Sequence, residues 1–293
     1  MRPAAFDYLV PTSLDEALAM LSERTGEARV LSGGQSLVPI MNLRLAQPET
    51  LVDIGRIPGL NSIEIEQNNI RIGAMVTHAQ IEHSAPLRQT LPILPSIARH
   101  IAHPTIRNRG TFGGSLAHAD PASEWPCMLL AMGGTVTATG PNGKRRIEAR
   151  EFFQSVLTTA LDDNEILTAI DLPLHGPGWH WSFYEVARQP GAFGLVLLLA
   201  GADIAPDGSI RDLRLAVGRC GPCPVTPVAD WSFLTGTRPS KAAIVRAAKQ
   251  VMQTIEPSGD AHANADDRRQ MAATLTTRAL TELVGVATEV GEP

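Results

Sequence analysis

Thr111-Phe112-Gly113-Gly114-Ser115-Leu116-Ala117-His118-Ala119-Asp120-Pro121-Ala122-Ser123-Glu124 sets a double glycine between two hydroxyls, and two arginines, Arg107 and Arg109, precede it. Glycines with hydroxyl neighbours let a chain bring several backbone N–H groups close to one anion. A second stretch of the same make, Ser32-Gly33-Gly34-Gln35-Ser36, lies upstream, directly after the apolar run Ala28-Arg29-Val30-Leu31. A lone Gly-Gly usually marks nothing more than a tight turn. Two such loops on separate subdomains could bracket a diphosphate from two sides, and the reading is one dinucleotide held between them. Arg107 and Arg109 would either attract its phosphates or serve a solvated structural role.

Asp53, about twenty residues after Gly33, invites a nicotinamide-type fingerprint, but that fingerprint needs Gly-x-Gly-x-x-Gly opening a helix. Here the run is Gly33-Gly34-Gln35-Ser36-Leu37-Val38, with no third glycine. A doubly wound dinucleotide fold is therefore disfavoured.

Around the loops, periodicity supplies the elements. Leu14, Ala17, Leu18 and Leu21 recur at helical spacing behind the cap-type Thr12 and Ser13, giving a helix over 12–24. Leu37 to Leu45 reads as a short helix and Leu51 to Ile54 as a buried strand. Ser62 to Glu66 and Ile70 to Gly73 alternate as a hairpin turning at Asn68-Asn69. Thr77 with Gln80 opens a helix, and Leu94 to Ile101 is another, stopped near His103-Pro104. The glycine loop follows, and then a helix from Ser123 to Met132. A second hairpin pairs Thr135–Thr139 with Lys144–Ile147, and Glu165 to Pro173 closes the unit as a strand. Beyond the turn-rich 174–179 come three strands and two helices, about 240–254 and 266–284, with Gly285 ending the last helix and a frayed tail behind it.

The bulk numbers bound the function. A chain of 293 residues with 44% hydrophobic content can bury a large core, in two or three domains. A net charge of −5 argues against a nucleic-acid binder. No apolar run reaches the roughly 18–20 residues that a membrane span needs. Three cysteines and the lack of an export-type N-terminus suit a reduced, cytoplasmic setting.

Cys220-Gly221-Pro222-Cys223 has the form of a redox pair, but the chemistry needs its first thiol at a helix N-terminus. Pro224-Val225-Thr226-Pro227 cannot open one, so turn filler is the better reading. Three cysteines cannot ligate an iron–sulfur cluster or an all-cysteine zinc. His78 and His83 stand off the same-face helical spacing, so no metal site is expected. His118 sits in the glycine loop, where it would touch a ligand or a partner. No Gly-x-Ser-x-Gly nucleophile motif is present.

Taken together, Ser32-Gly33-Gly34-Gln35-Ser36-Leu37 with Asn42-Leu43-Arg44, and Ile106 through Pro121, resemble the two FAD loops of the molybdenum hydroxylase flavoproteins. That family comprises the medium subunits of carbon monoxide dehydrogenase and xanthine dehydrogenase type. The resemblance runs over roughly residues 3–285, including Phe183-Tyr184-Glu185-Val186-Ala187-Arg188 with Gly191 and Phe193. It implies an α+β chain with a flavin fold of the vanillyl-alcohol oxidase and p-cresol methylhydroxylase type. Its two subdomains would be 1–57 and 58–175, followed by an α+β domain over 176–287 with a three-stranded sheet and helices on one face. It also implies that Ser32, Gly33, Gly34, Gln35, Ser36 and Leu37, with Thr111, Phe112, Gly113, Gly114, Ser115 and Ala117, bind FAD, largely through backbone N–H groups at the diphosphate. Glu124 would contact the ribose–adenine side, Ile166 and Leu167 would lie against the flavin or adenine, and Tyr184 would complete the set. No catalytic or metal residue is implied on this chain.

The same resemblance implies partners: a small subunit with two [2Fe–2S] clusters and a large molybdopterin subunit, in a dimer of heterotrimers. This chain would be the electron-relay module. Three positions depart from the family pattern: Gln189 replaces an arginine, Ala192 an aspartate and Ser115 a frequent asparagine. Two other readings stay open, a self-sufficient flavin oxidoreductase and an FAD-free scaffold subunit.

Overall fold

In the computed structural model, which describes residues 2–290, the turn at Ser32–Ser36 follows the edge strand Ala28–Leu31 of a small parallel sheet. Thr50–Asp53 lies in the middle of that sheet, flanked by Asp7–Leu9 and Ala28–Leu31. The helix Leu14–Glu23 covers it, capped by the Ser13 hydroxyl, which accepts from the Glu16 N–H. Ala17, Leu18 and Leu21, at the expected helical spacing, join Ala28, Val52 and Ile54 in its core.

The second sheet has five antiparallel strands, in the order Ile63–Ile65, Asn69–Gly73, Ile166–Pro173, Thr135–Gly140, Gly143–Glu148. Ile166–Pro173 is central and almost wholly buried, since it is paired on both edges and covered by helices. Thr77 and Gln80 form a complete capping box at His78–His83. Ile93–Ala98, Phe112–His118 and Glu124–Met132 then bury Leu94, Ile97, Phe112, Leu116, Trp125 and Met128 against this sheet.

The third sheet runs Trp179–Ala187, Gly194–Ile204, Ile210–Gly218 in antiparallel register. Successive side chains in a strand take opposite faces. Val196, Leu198, Ala200 and Ala202 therefore pack under the helices Lys241–Thr254 and Ala265–Val290. Leu199, Trp181 and Phe183 face the other way, onto the core of the five-stranded sheet. The sheet is thus sandwiched, its second face closed by the helix Glu124–Met132, whose Cys127 thiol donates to the Ala216 carbonyl.

Two sequence expectations need correction here. The stretch after Thr111 is a helix, Phe112–His118, because the Thr111 hydroxyl caps it by accepting from the Gly114 N–H at 3.0 Å. The last helix does not stop at Gly285 but continues to Val290, because nothing there places that glycine in the left-handed conformation that ends helices. The remainder of the expected tail, 291–293, lies outside the described residues.

Candidate functional site

The two glycine turns meet. Ser32 Oγ and Thr111 Oγ1 lie 2.7 Å apart, and Ser32 Oγ also approaches the Met75 sulfur at 2.9 Å. A Cβ on Gly33 would sit 2.1 Å from the Arg109 carbonyl oxygen, and one on Gly113 would sit 2.6 Å from the Ala74 Cβ. These glycines are therefore demanded by backbone against backbone, since anything larger would push the two turns apart. Gly34, by contrast, is held at φ +72, where only a residue without Cβ sits unstrained.

The backbone donors of the two turns differ. In the second turn the Phe112 N–H donates to the Val76 carbonyl, Gly113 to Ala74, Gly114 to the Thr111 hydroxyl and Ser115 to the Thr111 carbonyl. These four amides are spent within the protein, which corrects the expectation that this stretch offers them to a ligand. The first turn is the reverse: the N–H groups of Gly33, Gly34, Gln35, Ser36 and Leu37 have no acceptor among the described residues. Five consecutive donors on cleft-lining residues are thus left without a protein acceptor and are available to an anion.

Both turns open onto a cleft of about 740 Å³, within the usual range of small-molecule sites, about 300–1,000 Å³. Ser32 through Leu37, Thr111, Gly113, Gly114, Ser115, Ala117, Glu124, Ile166 and Leu167 all line it. Phe112 and Tyr184 do not. Phe112 is fully buried with its ring edge-on to Trp125, at 4.9 Å between centroids. Tyr184 falls on the helix-facing side of its strand, because the alternation that turns Phe183 onto the core of the five-stranded sheet and Glu185 towards His100 turns Tyr184 the other way.

Sequence reasoning missed His78, Ile101, Ala102 and Leu157 as lining groups, and gave no site role to Asp120, Ser123 and the loop Gly191–Phe193, which stand in stretches it quoted. His118, expected to touch a ligand or partner, lines the cleft too. Gly191, at φ +76, lies so near Ala102 that an added Cβ would come within 2.7 Å of its carbonyl oxygen, and this loop from the third sheet lines the cleft wall. Phe193 remains 63% exposed there. No local signal marks His78, Ile101, Ala102 and Leu157, because they reach the cleft only through tertiary contacts.

The electrostatics are unusual for a phosphate site. Among the described lining residues Arg29 is the one arginine or lysine, and Asp163 already holds it at 3.2 Å. Arg107 is committed elsewhere, donating to Glu82 at 2.8 Å and to the carbonyls of Ile101 and Ala102. Asp53 accepts from the Gly55 N–H and the Tyr8 hydroxyl, a structural cap remote from ribose recognition. Negative charge in the cleft is restrained by burial: the Glu124 carboxyl is pushed up to about 8, first by desolvation and then by the charge of Glu185. Glu185 itself is raised to about 7 by burial, with one carboxylate oxygen lacking a hydrogen bond and His100 at 3.7 Å.

The other candidates fall away. All three cysteines are free, and burial pushes Cys220 up to about 12, which makes it inert as a thiolate. No cluster of metal-ligating side chains occurs among the described residues. No helix among them is long and apolar enough to cross a membrane.

Unpaired amides beside a hydroxyl-capped helix start, on a cleft of this size, suit a protein that binds a phosphate-bearing cofactor such as a dinucleotide. Residues 4–175 match the family model described as "FAD binding domain in molybdopterin dehydrogenase", and residues 181–283 match "CO dehydrogenase flavoprotein C-terminal domain". The chain belongs to the FAD-binding medium subunits of the molybdenum hydroxylase family. It is 38% identical to the nicotine 6-hydroxylase medium subunit of Paenarthrobacter nicotinovorans, over 96% of this chain and 98% of that one. It is 34% identical to the carbon monoxide dehydrogenase medium chain of Hydrogenophaga pseudoflava, over 96% and 97%. Solved structures of carbon monoxide dehydrogenase from Hydrogenophaga pseudoflava (TM-score 0.94, 34% identity, 98% and 99% covered) and quinoline 2-oxidoreductase from Pseudomonas putida 86 (0.93, 33%, 98% and 99%) share its fold.

The residues present fit FAD. The free amides of 33–37 suit a diphosphate, and the close packing at Gly33 and Gly113 holds the two turns together at the cleft. The cleft is long enough to run from Glu124 to the Gly191–Phe193 loop.

Proposed function

We propose that this chain holds FAD so that electrons delivered by the iron–sulfur clusters of a small partner subunit pass to an external acceptor. Organic substrate would be oxidised at a molybdopterin centre on a large partner subunit. When bound, FAD supplies a two-electron store that can be filled singly, while the protein supplies position and electrostatics. In this reading the amides of Gly33 to Leu37 hold the diphosphate, with the Thr111 and Ser115 hydroxyls facing them. Glu124 contacts the ribose–adenine side, and Ile166 and Leu167 lie flat against a ring. The observation that carries the reading is the set of five unpaired amides on a cleft lined by the matched family's glycine turns.

The finer assignments are part of the same proposal. The division into 1–57, 58–175 and 176–287 is supported by each of the three main sheets falling within one range. A small parallel sheet beside a larger antiparallel one supports the vanillyl-alcohol oxidase-type flavin fold. Assembly as a dimer of heterotrimers is in keeping with relatives named as medium chains, and three free cysteines support a cytoplasmic setting. Relatives named for nicotine, carbon monoxide and caffeine match to similar degrees, as expected if the large subunit selects the substrate.

The test is to assay the purified chain alone and after assembly with its partner subunits. Substrate oxidation only in the assembly is expected, with FAD on this chain reducible chemically in both. Turnover by the isolated chain would contradict the relay role.

A further inference from the structure

His78 borders the cleft, yet the reading above gives it no task. It is 5% exposed and opens the helix His78–His83, its main-chain N–H donating to the Gly110 carbonyl at 3.0 Å. The ring takes one hydrogen bond within the protein: Trp125 Nε1 donates to His78 Nδ1 at 3.1 Å. An indole N–H can only donate, so Nδ1 must be the bare nitrogen, and a neutral imidazole then carries its proton on Nε2. Burial, and secondarily the Arg107 guanidinium, lower the ring to about 4, so it is neutral at ordinary pH.

Nε2 therefore bears a fixed N–H, and the hydrogen bond from Trp125 is the one the ring makes among the described residues. The Cδ2–Nε2 edge lies against Gly110, where an added Cβ would come within 2.9 Å of both atoms. Gly110 is the residue on which Gly33 packs and which precedes the Thr111 cap. Because His78 lines the cleft and this N–H is not spent within the protein, it is free to donate to an acceptor on a bound ligand.

We propose that the Nε2–H of His78 donates a hydrogen bond to an acceptor atom of the bound FAD, with Trp125 fixing the tautomer that makes it a donor. The inference rests on the FAD reading and adds a binding residue and a positioning residue to it.

Two isosteric variants separate this role from a structural one. In His78→Asn the side-chain oxygen can still accept from Trp125, but nothing reaches the Nε2 position. In His78→Gln an amide N–H extends to the Nε2 position, while the indole loses its acceptor. Apoprotein of each is titrated with FAD, FMN and ADP by fluorescence and melted without ligand. H78N should weaken FAD by about five- to twentyfold with little change in melting. The same loss should appear for whichever of FMN and ADP carries the acceptor. H78Q should keep FAD affinity within about threefold but melt earlier, since a buried indole N–H is left unpaired. Spectra of nitrogen-15 histidine should show Nδ1 bare and Nε2 protonated, unchanged between about pH 5.5 and 8. Unchanged FAD affinity in H78N, or equal loss in both variants, would overturn the role of His78 while leaving FAD binding intact. Failure of the unaltered chain to take up FAD would remove the underlying reading as well.

Discussion

The Ser32 and Thr111 hydroxyls stand 2.7 Å apart although 79 positions separate them in the chain. That contact ties the end of a parallel strand to the cap of the helix Phe112–His118, and the cleft exists because the two are tied. Thr111→Val keeps the shape but removes the bridge and the cap on the Gly114 N–H. A loss of about 2 kcal/mol is expected, half from the cap and half from the bridge. Thermal melts should fall by about 4–8 °C, and FAD titration should show weaker binding.

Gly33→Ala would place a methyl 2.1 Å from the Arg109 carbonyl oxygen, a backbone atom with no room to retreat. Separation of the two turns should abolish FAD uptake and cost about 1–3 kcal/mol. Gly285→Ala is the contrasting case: it lies within the helix Ala265–Val290 with open space around it. It should stabilise by about 0.5–1 kcal/mol in denaturant melts and leave FAD binding unchanged.

Glu124 gives the apoprotein a characteristic pH dependence. Its carboxyl titrates near 8 in the folded chain, against about 4.3 for an unperturbed glutamate. Between those values the folded state keeps a proton that the unfolded state has lost, so stability falls as pH rises and levels off above 8. The slope approaches about 1.4 kcal/mol per pH unit, and Glu185 adds to it in the lower part of the window. Urea melts from pH 5 to 9 should show the decline, and Glu124→Gln should flatten it. A profile identical in the variant would show that Glu124 is charged throughout.

Asp171 lies on the central strand with its side chain 4% exposed, accepting from Arg71 at 2.9 Å and from Asn69 at 3.0 Å. Arg71 stands directly opposite it in the register. Asp171→Ala should cost about 2 kcal/mol, less than for a fully buried pair because Arg71 reaches solvent. The effect should appear in chemical denaturation with FAD affinity unchanged, since neither residue lines the cleft.

Local patterns were readable from the chain wherever the physics is local. The capping box at Thr77 and Gln80, the hairpin over 135–148 and the core stripe of the helix Leu14–Glu23 all depend on near neighbours. Gly113 and Gly114 read as a loop because glycine disfavours helices. Their reason lies in tertiary contacts with Ala74 and Ser32, which no spacing reveals. For the same reason the spent amides of 112–115 and the free ones of 33–37 look alike in sequence. The resemblance located the segment around Tyr184, but the two-residue period of the strand turns Tyr184 under the helices and Phe183 onto the core of the five-stranded sheet. His78 reads as an isolated histidine until Trp125 is seen beside it, 47 positions on.

The measurement that bears most directly on all of this is the stoichiometry and affinity of FAD on the purified full-length chain, by flavin fluorescence titration of the apoprotein. One FAD per chain, bound saturably and lost in Gly33→Ala, is the expected result. A folded chain that takes up no FAD, or whose uptake is indifferent to that substitution, would contradict the account.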